Sequence, residues 1–254
     1  MLREVLDILK QDERSLELLK KYPVNGVGNP NVFQYKGFQY THRWSKHIHS
    51  LNLFHSILKD LLPKDFHLLD IGSSYGIFSY LLKKEFPASR HVLLDFPEQL
   101  MLAHYFLGMN FSGAKFATLK DIEKEEKLSR SFIEQYDFIL LPWFYYEKLL
   151  PKSVDIITNF ASFGEMRRKW FDFYVQHEVF KTVEYVFLIN RFRSAPTYDT
   201  DLTILDYPLE EFQKMHFNIW PYSYYTYDRH YWFFVRKVIL SSQYFEFIGR
   251  RGKK

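Results

Sequence analysis

The chain has no cysteine, which removes disulfides, thiolate-held zinc, iron–sulfur clusters and thiol nucleophiles at once. Any catalytic metal would have to rest on histidine and carboxylate alone. Long apolar runs are missing too. The longest, Phe138 to Tyr146, is about half of the ~20 residues that a bilayer-spanning helix needs. The opening segment, MLREVLDILKQDERSLELLKKY, is studded with charges and has no apolar centre of the secretory type, so a soluble, cytoplasmic protein is expected. No internal repeat or low-complexity tract is present. A dense charge of one sign is also lacking: 34 Lys+Arg against 30 Asp+Glu leave +4 spread along the chain, without the basic stripe of a dedicated nucleic-acid binder.

What is present is burial material. With 254 residues, 47% hydrophobic and 20% aromatic, the chain can enclose one large core with an attachment. The 26 Phe, 19 Tyr and 5 Trp are read as core filling, with flat surfaces for stacking as the rival reading.

Along the chain the texture changes near residue 64. Before it, residues 1–22 read as one or two short amphipathic helices, with Leu2, Val5, Leu6 and Leu9 on one stripe. YPVNGVGNPN (22–31) is a loop, FQYKGFQYTHRW is aromatic and irregular, and a helix is expected from about Ser45 to Leu62. After residue 64, short apolar runs alternate with helical patterns: FHLLDI (66–71), HVLLDF (91–96), DFILLPWF (137–144), VDIITNF (154–160) and VEYVFLIN (183–190). Such alternation predicts a parallel sheet covered on both faces. PLEEFQKM reads as a helix, and SYYTYD with YWFFVRKVIL (231–240) as a closing antiparallel hairpin.

The chemistry concentrates at the first strand-to-helix turn, Leu68-Leu69-Asp70-Ile71-Gly72-Ser73-Ser74-Tyr75-Gly76, followed by Asp95 at the end of the next strand, 19 residues beyond Gly76. Glycine suits a sharp turn where backbone meets a ligand, and a carboxylate ending the second strand can accept both ribose hydroxyls. The G-x-G-x-x-G pyrophosphate fingerprint is absent, which argues against NAD or FAD. An acid two residues before Gly72 suits a ligand that brings an ammonium and a sulfonium, as S-adenosylmethionine does.

At these residues the sequence resembles class I S-adenosylmethionine-dependent methyltransferases, and more narrowly the sugar O-methyltransferases of surface-polysaccharide synthesis. The resemblance rests on Asp70-Ile71-Gly72 with Tyr75-Gly76, Asp95-Phe96-Pro97-Glu98 with Ala103 to Leu107, Ser162-Phe163-Gly164-Glu165-Met166, and Phe187-Leu188-Ile189-Asn190-Arg191, over residues 66–192. Ser74 stands where many relatives carry Gly. The resemblance implies an α/β, Rossmann-like, seven-stranded and mostly parallel sheet with a C-terminal antiparallel hairpin: an N-terminal helical cap over 1–63 and a cofactor-binding methyltransferase domain over 64–254. DFILLPWF, VDIITNF and VEYVFLIN would be strands three to five, with KFATL (115–119) inside an insertion. It implies methyl transfer to a sugar hydroxyl of a saccharide or glycoconjugate, with Asp70, Gly72, Ser74, Tyr75 and Gly76 around the methionine half and Asp95 and Phe96 at the ribose. Outside the resemblance, Arg43, Tyr35 and Tyr40 beside the Gly/Asn loop read either as a lid over the cofactor, with Arg43 on its carboxylate, or as a packed linker. No nucleic acid is expected as substrate.

A sugar hydroxyl needs a general base or a metal to become a nucleophile. Glu165 is the first candidate, positioned by Asn159 and Ser162, against a competing reading in which Ser162 and Glu165 form an S-x-x-E capping box. Among His177, His216 and His230, the last, beside Asp228 and Arg229, ranks second, and Asn159 completes the candidate catalytic set. His42, His47, His49 and His55 look metal-like, but positions two apart on a helix point away from each other, so this group reads as a solvated or lid surface. Two rival functions stand beside this one. A nucleic-acid methyltransferase is encouraged by Arg167-Arg168-Lys169 and the basic C-terminus, but lacks the polar-Pro-Pro-aromatic motif. A non-catalytic protein that keeps the fold is disfavoured by the intact Asp70 and Asp95.

Overall fold

The computed structural model describes residues 12–35, 37–222, 225–227, 238–240 and 243–252. Helix α1 spans Glu13–Lys21. The aromatic stretch expected to be irregular folds as a hairpin of β1 (Phe33–Tyr35) and β2 (Phe38–Tyr40), with Gly37 in the left-handed region at φ 82°. The following helix, α2, spans His42–Ile57 and so starts earlier than Ser45. Its first turn is fixed by Thr41, whose hydroxyl accepts the Trp44 N–H at 3.0 Å, the usual job of an N-cap threonine.

Thereafter strand and helix alternate as read: β3 (His67–Ile71), α3 (Ile77–Glu85), β4 (Arg90–Asp95), α4 (Pro97–Asn110), β5 (Phe116–Ala117), α5 (Leu119–Lys124), α6 (Arg130–Ile133), β6 (Phe138–Pro142), β7 (Ile156–Phe160), α7 (Arg168–Val175), α8 (Glu178–Thr182) and β8 (Tyr185–Arg191). β9 (Phe212–Ile219), β10 (Tyr225–Tyr227), β11 (Val238–Leu240) and β12 (Tyr244–Arg251) complete the described strands. The main sheet has eight strands in the order β5-β6-β4-β3-β7-β8-β12-β9. β5 to β8 pair in parallel, and β12 runs antiparallel between β8 and β9. This is the doubly wound, Rossmann-like arrangement.

Both faces are buried, which explains the unbroken apolar runs. Leu68, Leu93, Leu140 and Phe187 point to one side, where they pack with α1 to α4; Leu69, Val92, Ile139 and Val186 point to the other, under α5 to α8. The cap thus shares its core with the sheet: Leu18, Trp44, Leu51 and Phe54 lie in the same buried cluster as Leu68 and Phe78.

Three expectations are corrected. KFATL contributes a short edge strand, β5, rather than only an insertion, and makes the sheet eight-stranded. PLEEFQKM yields a single 3-10 turn, Leu209–Glu211, and then becomes β9, because its second half gains a full ladder against β12; tertiary pairing outweighs the weak helical pattern of so short a segment. The closing antiparallel pair is therefore β9 and β12. β10 and β11 do pair with each other, but as a separate two-stranded ladder.

Candidate active site

The parallel strands end together, and the turn after β3 crosses their carboxyl edge, where open α/β sheets bind ligands. Three residues of this turn adopt left-handed backbone: Gly72 at φ 75°, Ser74 at 51° and Gly76 at 83°. Gly72 is required twice over, since a Cβ there would lie 2.2 Å from the Ser162 hydroxyl oxygen. Ser74, in place of a glycine, is held in its strained conformation by its N–H, which donates to Asp95 Oδ2 at 2.7 Å. Gly76 opens α3, and a Cβ there would crowd Leu93 at 3.0 Å and Leu107 at 3.2 Å, so the glycine permits close helix–sheet packing. Tyr75 likewise packs against Phe106, with ring centroids 5.3 Å apart, and under the Arg43 guanidinium at 5.5 Å.

Two carboxylates flank the turn. The β3–β7 register sets Asp70 opposite Thr158, whose hydroxyl donates to Asp70 Oδ1 at 2.7 Å. Asp70 is 4% exposed. Burial pushes its carboxyl up to about 7, with the Thr158 hydrogen bond opposing and the Asp95 charge adding to the rise. Asp95 accepts the Phe96 N–H on Oδ1 and the Ser74 N–H on Oδ2, both at 2.7 Å. Burial raises its pKa against the pull of these two amides. With one N–H on each oxygen, both oxygens keep acceptor capacity for a vicinal diol.

Two adjoining cavities open along this edge, of about 640 and 680 Å³. The first is walled by Asp70, by Arg43, Lys46 and His47 of α2, and by Arg191 at the end of β8. The second is walled by Asp95, Phe96, Trp143, Trp170 and Tyr174. Arg43, Gly72, Ser74, Ser162 and Glu165 border both, so they form one groove with a charged end and an aromatic end. Arg43 Nη1 donates to the Ser74 hydroxyl at 3.3 Å, which ties α2 to the turn.

Glu165 sits where the two cavities meet. It ends a 3-10 turn, Phe163–Glu165, that has no side-chain cap, so the capping-box reading fails: the Ser162 hydroxyl instead accepts from Asn159 Nδ2 and donates to the Ile71 carbonyl at 3.3 Å. Glu165 Oε1 accepts the Tyr198 hydroxyl proton at 2.9 Å and lies 3.9 Å from Arg191 Nη2. Asn159 is corrected from a catalytic to a positioning residue. It is fully buried, donating to the Ile71 carbonyl at 2.7 Å and accepting the Phe163 N–H at 3.1 Å, and so it ties the Glu165 loop to the Gly72 turn.

The histidines divide. His230 lies outside the described residues. His177 caps α8, accepting the Val179 N–H, and His216 meets Glu246 at 2.9 Å. His47 and His49 do point apart, but not to solvent: His47 lies between Phe78 and Phe160 with its ring held neutral, down to about 3, by burial and by Arg43 and Lys46, while His49 bonds Glu246 at 2.8 Å. Of the aromatic stretch Phe33 to Trp44, Tyr40 and Trp44 are core residues; Trp220, Tyr244, Trp143 and Tyr174 line the groove. Lys46, Thr158, Tyr198 and Tyr244 were missed by sequence reasoning, and Arg191 was noted only as the end of a strand. A charge closing a long buried strand was the one available signal.

No protein-family model matches the chain, and no curated protein matches it. Among solved structures, TehB from Haemophilus influenzae aligns at 11% identity and TM-score 0.49 over 80% of this chain and 62% of its own length. A candidate RNA methyltransferase from Pyrococcus horikoshii aligns at 17% identity and TM-score 0.49, over 94% of this chain and 96% of its own. TrmK from M. capricolum, in complex with S-adenosyl-homocysteine, aligns at 10% identity and TM-score 0.40, over 84% of this chain and 70% of its own.

Proposed function

We propose that the protein is an S-adenosylmethionine-dependent O-methyltransferase that acts on a sugar hydroxyl, in the synthesis of surface polysaccharide. The observation that carries the reading is the pair of carboxylates, Asp70 and Asp95, flanking a left-handed turn on which only glycine fits at position 72. The groove suits that cofactor. Asp70 would hold its ammonium, Asp95 its ribose diol, Arg43 its carboxylate, and Phe96 with Trp143 its base at the aromatic end. When bound, it supplies an electrophilic methyl group on a sulfonium.

The remaining work falls to the chain itself. Glu165, at the junction of the two cavities, takes the proton of the acceptor hydroxyl. Tyr198 and Arg191 fix its carboxylate, and Asn159 fixes the loop that carries it. The saccharide is favoured over nucleic acid because four arginines of the basic clusters form internal pairs. Arg168 bonds Asp201 and Asp206, Arg167 lies 3.4 Å from Asp199, Arg250 bonds Glu184 and Arg251 bonds Glu211. That leaves no continuous cationic track among these described residues, and Trp220 and Tyr244 border the groove. The test is incubation with labelled cofactor and parallel panels of nucleotide-sugars, polysaccharide fragments, tRNA and DNA, with the label located by mass spectrometry. Label on a sugar oxygen is expected; label on RNA or DNA alone would overturn the reading.

A further inference from the structure

Helix α4 turns an apolar face outward. Its inner side, Leu100, Ala103, Phe106 and Leu107, is buried against the sheet. On its outer side Met101, Leu102, Tyr105 and Met109 are exposed, Met101 by 73% and Tyr105 by 58%, and so is Phe96 at its entry. Across its 14 residues, Glu98 is the one Asp, Glu, Lys or Arg. A surface helix ordinarily gives its outer face to charged and polar side chains, and a contiguous apolar patch marks a contact surface. At about 100° per residue, Met101, Tyr105 and Gly108 fall within about 60° of one another on that face. A Cβ at Gly108 would meet nothing within 4 Å. The face therefore carries a projecting methionine and, two turns further on, a notch.

We propose that a second copy of this chain covers the face, with the two α4 helices antiparallel about a two-fold axis that crosses between His104 and Tyr105. Met101 and Gly108 lie equally far from that point, so the axis sets Met101 of each copy in the Gly108 notch of the other. Such self-complementarity is what an isologous dimer requires. The charges agree with it. The same axis brings the exposed Glu98 level with Phe111 of the other copy, where the exposed Lys84 holds its ammonium 5.0 Å from the Phe111 ring centroid, and an acid–base pair closes each end. The area is sufficient as well: five exposed side chains at on the order of 100 Å² each give ~500 Å² per copy and ~1,000 Å² per pair, the lower bound for a specific interface. A membrane surface fits less well, because an interfacial helix carries lysine and arginine on its polar side and α4 has neither.

The test measures the mass of the whole protein in solution by sedimentation equilibrium across a wide concentration range. A dimer that dissociates in the micromolar range is expected, and Met101→Lys should weaken it roughly 10-fold or more. Gly108→Leu separates docking from folding. Its side chain meets open space in the single chain, so the dilute variant should keep its circular dichroism and at least the wild-type melting temperature, while the filled notch weakens the dimer by a similar factor. Glu98→Lys and Lys84→Glu should each weaken it about threefold or more at low salt, and the double variant should recover the wild-type value. A chain that is monomeric at every concentration, whether or not it binds phosphatidylglycerol vesicles, would overturn the inference. So would a dimer whose dissociation is unchanged by Met101→Lys and Gly108→Leu, or charge variants that do not compensate each other.

Discussion

Replacing Asp70 by Asn tests the electrostatics of the turn directly. In the folded chain the Asp70 carboxyl moves from its ordinary 3.8 up to about 7, so folding favours the protonated form. The folded state keeps its proton while the unfolded chain gives one up, and stability therefore falls as pH rises from about 4 to about 7 and then levels. At about 1.4 kcal/mol per pH unit this amounts to roughly 4 kcal/mol at most, lost above pH 7 in the cofactor-free protein. Asp70→Asn keeps an oxygen for the Thr158 hydroxyl and removes the buried charge. The variant should melt several degrees above wild type at pH 8, and its advantage should shrink towards pH 4. Because the charge is what would meet the cofactor's ammonium, S-adenosylhomocysteine should bind the variant roughly 10-fold or more weakly. Thermal unfolding at pH 4, 6 and 8, with and without that ligand, measures both effects. A variant less stable than wild type at pH 8, or an advantage that does not depend on pH, would refute the reasoning.

Gly72→Ala puts a Cβ against Ser162 at φ 75° and should cost roughly 1–3 kcal/mol in urea unfolding, with Ser162→Gly in the same chain recovering part of it. Glu165→Gln should lower methyl transfer by roughly 100-fold or more while calorimetry shows nearly unchanged cofactor affinity; turnover near the wild-type level would remove Glu165 as the base. Glu246, 2% exposed, joins His49 of α2 to His216 of β9. Burial opposes its ionisation, but the hydrogen bonds from His216 and His49 hold its carboxyl below the usual 4.5. Its contribution is therefore present above that value and is lost as pH falls through the folded-state pKa; Glu246→Gln should be less stable than wild type at pH 7 in urea unfolding and should show less of this acid-dependent loss.

The parts of the site that could be read in the sequence are those fixed by neighbours along the chain. Gly72 and the two strand-ending acids declare themselves because a turn between a buried strand and a helix needs left-handed backbone, and because a carboxylate closing an apolar run has few structural uses. The strands of the sheet centre were legible for a similar reason, since burial on both faces leaves an unbroken apolar signature. What sequence could not give is convergence in space. Arg191 and Lys46 are far apart in the chain, and only the fold brings them to one wall of the groove. Asn159 looks like any polar residue after a strand until its amide is seen bridging two loops. The tail of PLEEFQKM carries no strong period of its own, and its fate as β9 is decided by the free edge of β12.

The central claim, that the Gly72 turn with its two carboxylates is a cofactor site, is tested most directly by titrating S-adenosylhomocysteine into the wild-type protein and into Asp95→Ala in a calorimeter. One site per chain with low-micromolar affinity, roughly 7 to 8 kcal/mol, and clear weakening when the Asp95 carboxylate is removed, are predicted. No heat of binding with the wild type, or the same affinity in both proteins, would contradict it.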